Sequence, residues 1–285
     1  MSHFIRTTLL LGILTTLVLL AGQALGGKEG LIVAAVFAFV MNFGSYWYSD
    51  KIVLAMHGAV PLSREQAPEI YSILDEVAQR AAIHPPPKLY WMATAAPNAF
   101  ATGRNPQHAA IVITQGLVQT LKTEELKGVI AHEMGHVLHR DTLTSTIVAT
   151  LAGVISYVAM MLRFSMMSGG YASSRGRDQQ ANPVTLLLFA VLMPVAAAMI
   201  QFAISRTREY AADDKGAELA GNPLYLASAL QKISIASRKI PMTQANPAVA
   251  HLFIVNPLSG VNFSALFSTH PPIEKRIARL EAMAR

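Results

Sequence analysis

The stretch "LKGVIAHEMGHVLHRDT", residues 126–142, decides how the rest of the chain is read. It contains His132-Glu133-Met134-Gly135-His136. A helix is expected to open just upstream, with Thr123 at its cap and Glu124 and Glu125 in its first turn, where acids complement the helix dipole. That helix is expected to continue through His139. Helical residues four apart share one face about 6 Å apart along the axis, so His132 and His136 can chelate a single ion. Glu133, turned by one position, can reach a water beside that ion. His139 lies on the same face but a further ~4.5 Å up the axis. Three positions so spread cannot readily meet one tetrahedral ion, so His139 reads as a residue supporting the site from outside or as part of an interface. His3, His57, His84, His108 and His251 have no partner spacing and read as structural or exposed.

The third ligand must come from elsewhere. The chain has no cysteine, which excludes disulfides and thiolate sites, and a carboxylate commonly joins two histidines. The candidate stretch is "ISRTREYAADD", residues 204–214. Glu209 and Asp213 are four apart on an expected helix. Glu209 can bind the ion, and Asp213 can accept a hydrogen bond from the free ring nitrogen of His132 or His136. Arg206, Arg208 and Lys215 are interspersed, so the stretch also reads as a solvated charged face, and spacing does not separate the two readings.

Composition places this site beside a membrane. At 285 residues, the chain is 52% hydrophobic and 14% charged, against about a quarter charged in soluble domains, and its mean hydropathy is +0.37. The net charge of +6 comes with no basic cluster interleaved with aromatics. It is read as contact with anionic membrane lipids and not with nucleic acid. Four stretches approach the ~20 apolar residues that cross a bilayer: 5–26, 31–48 with its interfacial "YWY", 143–164, and 184–204, which carries Pro194. The first also fits a cleaved signal peptide, with Arg6, a leucine-rich run, Gly22 and Ala24. The third and fourth carry Ser, Thr or Gln and also fit buried core helices or a re-entrant hairpin. Residues 165–183, "SMMSGGYASSRGRDQQANP", form a Gly/Ser-rich loop expected to be mobile.

Between the hydrophobic stretches an amphipathic helix is expected over 63–83, capped by Ser63, with Glu65 in its first turn and Ile70, Ile73, Leu74 and Val77 at helical spacing. Strands are expected in "HPPPKLYWM", "PNAFATG" and "AAIVITQG", the last two joined by the turn-rich "RNPQH". A helix follows the fourth hydrophobic stretch and stops near Gly221-Asn222-Pro223, and a last one begins after "HPP". The expected organisation is a hairpin at 1–50, a first catalytic part at 51–142, a second hairpin at 143–204 and a second catalytic part at 205–285. The fold class is a mainly α integral membrane protein with about four spans and a small β-sheet.

"HEMGH" followed by "SRTREYAAD" resembles the membrane metalloproteases of the HtpX type, relatives of the CAAX prenyl protease. Their pattern is HExxH and then S-R-x-x-E-x-x-A-D after a hydrophobic hairpin, and Ser205, Arg206, Glu209, Ala212 and Asp213 all match. The N-terminal hairpin, "PNAFATG" and "THPPIEKRI" are similar as well, so the resemblance covers nearly the whole chain. It implies a zincin-type domain with one Zn2+ per chain on His132, His136 and Glu209, with Glu133 as base. It also implies cleavage of misfolded or damaged membrane proteins at a bacterial-type inner membrane. "NAF" at Asn98-Ala99-Phe100 resembles the edge strand on which such proteases bind peptides, although a buried strand end reads the same. His270 resembles an oxyanion-stabilising position, although a loop histidine before two prolines reads equally well. Arg276 can pair with an active-site carboxylate or lie on a solvated helix face.

Topology is consistent with this. His132 and Glu209 can meet only if an even number of spans separates them, and the hydrophobic map supplies two. Glu209 follows the fourth stretch by about 8 Å of helix, which puts the site at the membrane surface, on the cytoplasmic side, facing membrane-protein or unfolded-polypeptide substrates. A membrane adaptor with a structural zinc is the rival from another class, but it has no need of Glu133. A transporter would carry charges inside its spans, and here only Arg163 lies near the end of one. A prenyl-protein protease needs more membrane helices than this chain supplies.

Overall fold

The computed structural model describes residues 3–148, 206–240, 252–254 and 271–284. The fourth hydrophobic stretch, the loop 165–183 and His270 lie outside these residues. Of the third stretch only residues 143–148 are described, within a helical run over 141–148.

The first two hydrophobic stretches form one long helical run, α1 (His3–Met56), broken at Gly27, where φ 56° and ψ −136° leave the helical region. A positive φ suits glycine, which has no Cβ to clash. The break is a reversal. Asn42 Nδ2 donates to Thr15 Oγ1 at 2.7 Å, whereas a straight helix would hold residues so far apart in sequence about 40 Å from each other. Small residues, Ala34, Ala38 and Ser45, are buried on the face that carries Asn42. Ile32, Val33, Val36, Phe37, Phe39, Val40 and Phe43 remain exposed. Gly27–Tyr48 is the one helix among the described residues long and apolar enough to cross a membrane. The helix continues past Tyr48 to Met56 and buries Val53 and Leu54 against the sheet that follows.

That sheet has four strands, β1 (Val60–Pro61), β2 (Lys88–Met92), β3 (Ala99–Gly103) and β4 (Ala109–Thr114), in the order β1-β2-β4-β3. β2 and β4 are parallel; the other pairings are antiparallel. β4, "AAIVIT", is buried along its whole length, as a strand covered on both faces should be. Ile111 and Ile113 turn into the main core with Leu89, while Ala110 and Val112 turn to a smaller cluster with Phe100, Val53 and Leu54. β3 is left at the edge of the sheet.

α2 (Pro68–Arg80) is shorter than the helix expected over 63–83. Pro68 lacks the N–H that a helix interior requires but fits the first turn, so the helix starts there. Ser63 and Gln66 instead exchange side-chain and backbone bonds in the preceding turn. After the short α3 (Gln115–Thr120), α4 (Thr123–Leu138) begins with Lys122 at the cap position, one residue before the expected one. The Lys122 N–H donates to Glu125 at 2.8 Å. α4 lays Leu126, Val129, Ile130, Met134 and Val137 on the core. α5 (Arg206–Ala220) and α6 (Pro223–Lys239) pack on it, and α7 (Ile273–Met283) packs on α6 and α5. Glu125 joins α4 to α6 through Ser228 (2.6 Å) and Lys232 (2.8 Å). α3, α6 and the two-residue β1 have no counterpart in the sequence reading.

Candidate active site

Two helices meet at close range to build the site. A Cβ added at Gly216 of α5 would lie 2.9 Å from both Cα and N of His132, and one at Gly135 of α4 would lie 3.0 Å from the Ala212 carbonyl oxygen. Both contacts are with backbone, which cannot swing aside. These glycines let α5 approach α4 closely enough for Glu209 to face the two histidines. Gly216→Ala is therefore expected to cost about 1–3 kcal/mol, as overpacking typically does, and to lower metal content. Thermal unfolding and metal analysis on the same preparation check this.

His132, His136 and Glu209 each offer a ligand atom within 4.8 Å of the others. His132 Nε2 is 3.9 Å from Glu209 Oε2, and His136 Nε2 is 3.6 Å from Glu209 Oε1. These separations are too long for hydrogen bonds. They are close to the roughly 3.3–3.6 Å between ligand atoms that bonds of ~2.0–2.2 Å at tetrahedral angles give. The donor set thus fits a divalent ion of the zinc type. Both imidazoles turn Nε2 inward because a carboxylate holds the other nitrogen. His132 Nδ1 is 3.0 Å from Asp213 Oδ1, and His136 Nδ1 is 3.4 Å from Asp141 Oδ2. Such partners fix the tautomer and orientation of a ligating histidine.

Arg276 ties these groups together. It is buried, and it donates through Nε (2.8 Å) and Nη2 (2.7 Å) to the two oxygens of Asp213. Its Nη1 lies 3.3 Å from Glu209 Oε2. The solvated-face reading of Arg276 therefore does not apply. Arg276 keeps Asp213 ionised against the cost of burial, and so keeps it able to orient His132.

Glu133 sits beside the ligands, almost fully buried. Burial raises its pKa to about 7, helped by the Glu209 carboxylate and opposed by His136, Arg276 and a bond from the Ala101 backbone N–H. Burial lowers His132 to about 4 despite Asp213. At His136 burial acts the same way, but Asp141, Glu209 and Glu133 outweigh it and raise the pKa to about 9. Carboxylates thus converge on one small volume, and a dication would neutralise them.

Ala101 belongs to β3, so the general-base candidate is bonded to the edge strand. Asn98 is buried at the start of that strand. Its N–H donates to Thr114 Oγ1 (2.9 Å), and its Oδ1 accepts from the Ala99 N–H (3.1 Å). The Ala99 carbonyl accepts from the Ile254 N–H at 3.1 Å. His139 closes α4 at its C-terminal cap, and Arg140 at φ 57° turns the chain back so that Asp141 faces His136. Asp141 has no counterpart among the residues the sequence singles out. Its signal is weak, an acid five residues past the second histidine and beyond the helix end.

Comparison with known proteins sets this geometry in a family. The model of Peptidase family M48 matches residues 64–284. The chain belongs to peptidase family M48. A "Protease HtpX homolog" of Syntrophobacter fumaroxidans is 52% identical over 99% of this chain and 100% of that protein. One of Pyrococcus furiosus is 49% identical over 99% and 96% respectively. The chain is thus an M48 metalloprotease of the HtpX group. The crystal structure of S. mikatae Ste24p is similar in fold, with a TM-score of 0.50 at 22% identity. That match covers 95% of this protease and 63% of Ste24p, a little under two thirds of its length.

Proposed function

We propose that this M48 protease is a membrane-anchored zinc endopeptidase that cleaves unfolded or damaged membrane proteins at the membrane surface. The observation that carries the reading is Glu133, a buried acid beside three ligand atoms and bonded to an edge strand. A structural metal site needs no such acid. One Zn2+ per chain on His132, His136 and Glu209 would supply Lewis-acid activation of water and of the scissile carbonyl. Glu133 takes a proton from the attacking water and returns it to the leaving amine. Asp213 and Asp141 hold the two imidazoles, and Arg276 holds Asp213 and Glu209. An extended polypeptide adds to β3 through backbone bonds, with Asn98 and Ala99 at the start of that edge. His270 remains the candidate for stabilising the oxyanion.

Among the described residues nothing covers the exposed apolar side of Gly27–Tyr48, and its composition suits contact with lipid. Because that helix runs on to pack Val53 and Leu54 under the sheet, the span would carry the site close to the bilayer. Arg104, in the β3–β4 turn, lies 5.0 Å over the Trp47 ring at the end of the same helix. Four spans, with hairpins at 1–50 and 143–204 and catalytic parts at 51–142 and 205–285, complete the arrangement. It places the catalytic parts on the cytoplasmic side of a bacterial-type inner membrane and serves quality control there. Cleavage of an unfolded membrane protein in detergent tests the reading. Chelation should abolish it and added Zn2+ should restore it, and cleavage that survives exhaustive chelation would end the proposal.

A further inference from the structure

The outer edge of β3 is already engaged. The Ile254 N–H donates to the Ala99 carbonyl (3.1 Å), and the Ile254 carbonyl accepts from Arg276 Nη1 (3.3 Å). That same nitrogen lies 3.3 Å from Glu209 Oε2. One residue therefore spans from the edge strand to the guanidinium beside a metal-ligating carboxylate. Residues 252–254 form a turn, in which Leu252 and Phe253 share one cluster and Ile254 faces another. Phe253 packs into the cluster of Phe100, Val53 and Leu54, with ring centroids 5.2 Å from Phe100 and 5.3 Å from His57. Ile254 turns to the opposite side and joins the core around α4. Both side chains are buried.

Every residue of a bound peptide brings one N–H and one C=O, and an edge strand binds an extended chain through these groups. Ile254 satisfies both of its own groups at the place where a substrate would need the same partners. We propose that Leu252–Ile254 lies in the substrate's path as an intramolecular stand-in that a polypeptide must displace. Its chemistry then names the substrate class: apolar segments with bulky side chains, as unfolded membrane proteins offer. The proposal rests on the protease reading above. It follows that the cleft is open only part of the time, and apparent substrate affinity falls by the open fraction. Polar segments, with nothing to place against Phe100 and the α4 core, displace the stand-in poorly.

The test uses the full-length, Zn2+-loaded protein in detergent carrying Glu133→Gln, so that binding is read without cleavage. The probes are a fluorescent peptide with the sequence AHLFIVNP, that of residues 250–257, and the same peptide with Phe and Ile replaced by Ser. Adding Ile254→Pro removes the N–H that Ala99 accepts, and should tighten binding of the first peptide by about threefold to tenfold, the range of one hydrogen bond. Phe253→Ala should act in the same direction with metal content retained, although the cavity it leaves in the Phe100 cluster lowers the melting temperature. The serine peptide should bind at least tenfold more weakly to every variant, including the unaltered Glu133→Gln chain. Equal or weaker binding of the apolar peptide to both variants would overturn the proposal, as would equal binding of the two peptides. Weaker binding would make Leu252–Ile254 a wall of the substrate site, not its occupant. The protease reading stands or falls separately, on chelator-sensitive cleavage by the chain with Glu133 intact.

Discussion

Glu133→Gln is expected to lower peptide cleavage by about 10^2–10^4-fold, the usual contribution of a positioned acid–base group, while metal content stays at the wild-type level. Glutamine keeps the shape of glutamate and an oxygen that can accept from the Ala101 N–H, but it takes no proton at neutral pH. Burial raises the proton affinity of Glu133, the direction that suits a base that must also act as an acid. Glu209→Ala is the contrasting case. It removes one of three ligands and should cost both metal and activity. Cleavage rate and bound metal, measured on the same detergent preparations, separate the two roles. Wild-type turnover in Glu133→Gln would sink the assignment.

Arg276→Met should have the largest effect on stability. Asp213 has no exposed surface, and its two oxygens are held by Arg276 Nε and Nη2. Removing the guanidinium leaves a buried carboxylate without its countercharge, which typically costs about 3–5 kcal/mol. The melting temperature should fall accordingly. Metal affinity should fall as well, by about 10–100-fold as for other groups that support metal ligands, because Asp213 is what aims His132. Arg276→Lys should rescue little, since one ammonium cannot reproduce the two-pronged contact. Arg276→Met combined with Asp213→Leu should regain much of the stability and none of the metal affinity. That split distinguishes a positioning residue from a packing residue, and unchanged metal affinity in Arg276→Met would refute the role.

What was legible in the sequence rested on local periodicity. His132, Glu133 and His136 share a turn of helix, and Glu209 and Asp213 share another, so their faces follow from 3.6 residues per turn without knowledge of the fold. The strands at β2, β3 and β4 and the reversal between the two N-terminal apolar stretches were visible for the same reason, in runs of apolar residues and the punctuation between them. The start of α2 differs from the expected one because Ser63 offers a cap while Pro68 decides where helical bonding can begin. Other features needed the tertiary structure. The sequence left Glu209 open between ligand and solvated face, and only the glycine-mediated contact of α4 with α5 brings its carboxylate to the histidines. Arg276 read equally well as exposed or paired, because charge alone does not say what a side chain meets after folding. Asp141, the Ala101 N–H and the backbone of Ile254 carried no usable signal. Their contributions depend on where a chain reversal or a strand edge ends up in space, and that is set by long-range packing, which no local pattern encodes.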